Sequence, residues 1–134
     1  MEYFRPLSAG RTLLLRFDRG DLLLEGIAEA LARERMANAV VLSGIGTLDR
    51  CVLHMVTTTG FPPVEHFARW EDEPLELAAV QGLVIGGRPH LRAVVSDRER
   101  AYAGHLENGC RVLYLAEIAG MKLEGGWSLA EAAG

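Results

Sequence analysis

The sequence predicts an α+β fold, a largely antiparallel sheet with one main helix packed on it. Three observations carry this. An amphipathic helical pattern occurs once, near the start. Short apolar and β-branched runs follow it, closed by glycine, proline and charged residues that punctuate strands. No internal repeat, low-complexity segment or linker divides the 134 residues, so one domain is expected over 1–134. A chain of that length buries roughly two-thirds of its unfolded surface and needs no staple to hold a core.

Taken in order, RTLLLRF at 11–17 reads as a strand closed by the turn Asp18-Arg19-Gly20-Asp21. Asp21 suits the helix N-cap, where its carboxylate can accept from orphan amides. LLLEGIAEALARERM then sets Leu24, Ile27 and Leu31 on one helical face, with Asn38 as the stop. AVVLSGIGTL is expected to be a buried strand, and 48–58 a second, separate one. Residues 60–74 carry three prolines and four acidic residues, which predicts loop or sheet edge. Leu75–Ile85, HLRAVVSD at 90–97 and the run 110–123 are further strands. The turn Gly86-Gly87-Arg88-Pro89 separates the first two, and 98–109 is read as connection. The tail GGWSLAEAAG is expected to add one short helical turn.

In the strand from Cys110, residues Cys110, Val112, Tyr114, Ala116 and Ile118 point one way, and Leu113, Leu115 and Ala119 the other. Apolar side chains on both faces call for cover on both. One helix cannot supply it, so a partner subunit is expected.

Fourteen basic against eighteen acidic residues leave a net charge of −4. That balance excludes a domain built chiefly to coat phosphate backbones, so tight direct DNA binding is not expected. Cys51 and Cys110 have neither CxxC nor zinc spacing and read as reduced thiols of a cytoplasmic protein. The start, with acidic Glu2, lacks the apolar core of a secretory signal, and no stretch is apolar enough to span a membrane.

Candidate chemistry is sparse. Gly44-Ile45-Gly46 lacks the third glycine and following helix of a dinucleotide loop, so a tight turn or bulge is the better reading. Ser43 and the carboxylates Asp18 and Asp21 read as structural. His54 and His66 read as ordinary surface or core histidines. His90 and His105 sit beside turns, where imidazoles can reach a cleft and hold a metal. Glu117 lies mid-strand between apolar neighbours and needs a partner if buried.

The order of these pieces resembles the plants-and-prokaryotes-conserved (PPC) domain, a family described as DNA-binding. The likeness runs from the Arg-containing strand before Gly20-Asp21 through Ser43-Gly44-Ile45-Gly46-Thr47-Leu48, Glu76-Leu77 and Gly82. It continues through His90-Leu91-Arg92-Ala93 with Ser96-Asp97, then Ala103-Gly104-His105-Leu106, Gly109 and Glu117. The resemblance implies a trimer and a distant kinship of fold to acetolactate decarboxylase, a zinc lyase with three histidines. Here Arg92 stands where a second histidine of a His-x-His pair would be, and a guanidinium cannot ligate a metal. The family's carboxy-terminal Arg and Thr-Gly-Leu ending is not evident in the tail.

The leading expectation is therefore a homotrimeric binding or regulatory module, with a small anion held near His90, Arg92 and His105. The alternative is a metal-dependent lyase- or hydrolase-like enzyme, with His90 and His105 on zinc and Glu117 as acid/base. Arg92 favours the anion over the metal.

Overall fold

Six strands and one helix account for residues 7–125, the part of the chain that this computed structural model describes. The expected turn in GGWSLAEAAG falls on 125–134, beyond Gly125 outside the described residues. The elements are β1 (Ser8–Asp18), α1 (Leu23–Arg33), β2 (Ala39–Val56), β3 (Glu65–Ile85), β4 (Arg88–Ser96), β5 (Ala101–Leu106) and β6 (Arg111–Glu124). All strand pairs are antiparallel, in the order β1-β6-β2-β3-β4-β5. A further pairing of β2 with β5 closes strands β2 to β5 on themselves.

The antiparallel sheet with one helix agrees with expectation, while several boundaries need correction. The helix buries Leu23, Ile27 and Leu31; Leu24 is only partly buried. Asp21 does not cap it. Leu22 holds the N-cap position with no side-chain bond, and Leu23 donates instead to the carbonyl of Cys110 at 2.9 Å. The Asp21 carboxylate accepts from the Asp18 amide at 2.7 Å, closing the turn rather than the helix. The helix ends at Arg33, well before Asn38, and Arg35 just beyond it has a φ of 56° that cannot continue it.

AVVLSGIGTL and 48–58 form one strand of 18 residues, not two. Gly44-Ile45-Gly46 is no turn. It runs inside β2, next to a register shift between Gly46 and Leu48 against β6, which agrees with the bulge reading. Residues 65–74 are strand, because the second half of β2 supplies the ladder that their own composition does not advertise. AYAGHL, read as connection, is β5, held between β4 and β2. Gly86 and Gly87, with φ of 58° and 76°, make the two-residue turn between Ile85 and Arg88.

The core is one buried cluster. Phe17, Leu23, Ile27, Leu31 and Met36 join the inward residues of β2 to β6, such as Leu53, Leu77, Leu91, Leu106 and Ile118. Tyr114 departs from its expected inward face and is 66% exposed. The register shift turns it out, and its amide bonds Thr47 Oγ1 at 3.1 Å. The opposite face of β1, β6 and β2 stays open, with Leu14 78% and Ile45 53% exposed.

Candidate functional site

Chemistry-bearing side chains gather where β2 meets β5. His54 of β2 is the register partner of His105 of β5, and His105 is in turn the partner of Arg92 of β4. Directly opposed residues in a ladder share a face, so the three stand in one row. His90, two residues before Arg92, leaves the same face of β4. The rings of His54 and His105 stack with centroids 4.5 Å apart, and His90 lies 5.2 Å from His105. Phe67, opposite His54 on β3, closes the row with its ring 5.1 Å from that imidazole.

Backbone design permits this approach. An ideal Cβ on Gly104 would stand 2.7 Å from the His54 carbonyl oxygen, so only glycine lets β5 lie this close to β2. Glu107 follows β5 and is tied back by its amide to the Val52 carbonyl at 3.1 Å. Its Oε1 accepts from His105 Nδ1 at 2.8 Å and is also hydrogen-bonded to His54 Nδ1. A second carboxylate, Glu65, stands 3.7 Å from His54 Nε2. His54, His105 and Glu107 are all partly buried, with side chains 19%, 20% and 27% exposed.

One ligand atom from each of His54, His105 and Glu107 lies within 4.8 Å of the others. Two imidazoles and a carboxylate suit a divalent transition metal, with bonds of about 2.0–2.2 Å. The set fits such an ion after a small contraction around it. His90 and Arg92 are exposed, beside Gln81 and Leu83 in a shallow depression. That depression offers a guanidinium and an imidazole to an anion.

Of the residues singled out from sequence, His90, Arg92 and His105 therefore come together. Glu117 does not join them. It faces Arg16 and Ile45, well upstream of His54 along β2. His66 is exposed on the other face of β3, opposite Met55. His54 and Glu107 were not recognised as site residues. Glu107 carried a usable signal, since it follows His105 by two and can extend the same face. His54 carried none, because only strand register brings it to His105.

The thiols of Cys51 and Cys110 lie beneath this region, free and buried. A hydrogen bond with Cys110, with burial added, pushes the Cys51 thiol above its ordinary value.

The Plants and Prokaryotes Conserved (PCC) domain matches residues 5–123. No curated protein matches the chain. Among solved structures, one similar protein is a metal-containing protein from Archaeoglobus fulgidus, 26% identical, with TM-score 0.76 and 93% of this chain and 87% of that chain covered. Another is a plant- and prokaryote-conserved protein from Pyrococcus horikoshii, 26% identical, TM-score 0.77, covering 92% and 86%. A candidate DNA-binding protein from Bacteroides thetaiotaomicron, 13% identical with TM-score 0.71 and coverage of 91% and 86%, is alike in fold alone.

Proposed function

The chain belongs to the Plants and Prokaryotes Conserved domain family, and we propose that it is a homotrimeric binding module of the cytoplasm that holds a divalent metal, zinc foremost. His54, His105 and Glu107 would hold the ion, and His90 with Arg92 would receive a small anion beside it. The observation that carries the reading is the meeting of two imidazoles and one carboxylate within 4.8 Å. The metal-containing relative from Archaeoglobus fulgidus supports it.

A bound metal supplies a Lewis-acidic centre that attracts an anionic group. The protein does the rest. Before an ion arrives, Glu107 bridges both imidazoles and holds their orientation ready for it, and the stacked rings hold one another's planes. Phe67 walls one side of His54. Arg92 sets the charge of the partner: a fixed guanidinium next to the site favours carboxylate or phosphate over cations.

Trimer formation would cover the exposed apolar face of Leu14, Leu42 and Ile45. DNA lies outside the proposal, since fourteen basic residues against eighteen acidic ones leave no excess for phosphate backbones.

Zinc titration by calorimetry tests the reading. Wild type is expected to bind one zinc per chain, and His54→Ala or Glu107→Gln to weaken it at least tenfold, about 1.4 kcal/mol. Equal affinity in wild type and both variants would refute the ligand set.

A further inference from the structure

Cys51 and Cys110 face each other at the start of β6. Arg50 and Arg111 are register partners in the β2–β6 ladder, so the next rung places Cys51 opposite Cys110. Their sulfurs are 4.0 Å apart, and both residues are fully buried. Directly opposed residues of antiparallel strands have Cβ atoms about 4.5–5.5 Å apart. A disulfide needs about 3.8 Å, so a small approach of the two chains closes the gap.

We propose that Cys51 and Cys110 are an oxidative modification site, forming a reversible disulfide within one chain under hydroperoxide. A short turn leads into Cys110 and touches its sulfur through the Glu107 carbonyl. It is Glu107-Asn108-Gly109, in which Asn108 is exposed and Gly109 has φ of 92°. Two backbone amides tie that turn down, from Glu107 to the Val52 carbonyl at 3.1 Å and from Gly109 to Glu25 Oε2 at 3.0 Å, and the Glu107 carboxylate adds its bonds to His54 and His105. Local opening of so short a segment admits a small oxidant without unfolding the core.

The chemistry balances with peroxide as the only co-reactant. The sulfur of Cys110 attacks one peroxide oxygen and the O–O bond breaks. The departing hydroxide takes up the Cys110 thiol proton and leaves as water, and Cys110 becomes a sulfenic acid. The Cys51 sulfur then attacks the Cys110 sulfur, the S–O bond breaks, and a second water leaves with the Cys51 proton. Two thiols lose two electrons and two protons, and hydrogen peroxide becomes two waters.

Cys110 touches the backbone of Glu107, the residue whose carboxylate lies in the proposed metal set. Cys110 Sγ contacts the Glu107 carbonyl at 3.4 Å and the Val52 carbonyl at 3.6 Å, and it accepts the Val52 amide at 3.3 Å. Oxidation removes the thiol donor from that set and draws Cys110 toward β2, which moves Glu107. Resting on the metal reading above, the proposal extends to a weaker metal grip in the oxidised form.

The test exposes wild-type protein to hydrogen peroxide, denatures it, adds iodoacetamide and measures intact mass. The expected product carries no alkyl group, is two hydrogens lighter, runs as a monomer without reductant and regains both thiols with dithiothreitol. In Cys51→Ser, the same treatment should stop at an oxygen adduct of Cys110. Two alkylated thiols, or a disulfide between chains, would overturn the proposal. Zinc titration of the two forms reads the coupling separately. At least threefold weaker binding by the oxidised form supports it, and equal affinity with the disulfide present overturns the coupling alone. A reduced protein that binds no zinc overturns the metal reading, while the mass measurement still decides the disulfide.

Discussion

Glu107 shows how one side chain organises a site: a single carboxylate oxygen serves two stacked imidazoles and excludes most of their other orientations. Arg92 acts by charge alone, so replacing it by glutamine should raise zinc affinity by about two- to tenfold, read by the same titration. Asp97 offers a cleaner electrostatic case. The amides of Glu99 and Arg100, each at 2.8 Å, hold its carboxyl below the usual carboxylate range. A depressed folded pKa contributes stability that is present above the unfolded value and lost as pH falls through the folded one. The Glu99 and Arg100 amide shifts should therefore hold through about pH 4, where an ordinary aspartate titrates, and change only at lower pH. Glu99 and Arg100 amides that titrate at the usual aspartate value would contradict this.

At the scale of elements, legibility followed local pattern. The helix was readable because its apolar positions recur, yet the run Leu22-Leu23-Leu24 contains three equivalent candidates for its first buried position. Its place in the buried cluster and its amide bond to the Cys110 carbonyl, just before β6, select Leu23. The Asp21 cap failed for a related reason, since β6 backbone supplies the bond that a side chain would otherwise provide. The acidic half of β3 and all of β5 were illegible as strands. Neither has an alternating apolar pattern, and each exists because long-range pairing to β2 favours it. Gly104 is where that pairing is most vulnerable. Gly104→Ala should cost roughly 1–3 kcal/mol in thermal or denaturant unfolding and weaken zinc binding, because the new methyl meets the His54 carbonyl at 2.7 Å. Gly60→Ala is the control: nothing lies within 4 Å of its Cβ, so stability should hold. Equal effects of the two substitutions would show that β5 tolerates displacement from β2.

For the whole molecule, the sheet presents apolar residues to both sides, and α1 covers only one. Leu14, Ile45 and Leu83 on the open side run toward Leu83's partner His90, so the apolar face and the site are continuous. Light scattering should give a mass near three chains at micromolar concentration, and Leu14→Glu with Ile45→Glu should reduce it to one. A wild-type monomer would remove the covering role assigned to a partner. The family resemblance was readable because its motifs follow in order along the chain. The metal set was only half readable, because His105 and Glu107 are near in sequence while His54 reaches them by register alone. The most direct measurement is therefore the position of the metal itself. Anomalous diffraction at the zinc edge, on crystals grown with zinc, should place one peak between His54, His105 and Glu107. A peak on His90 and His105 that leaves His54 unligated, or no peak at the cluster, would contradict the account.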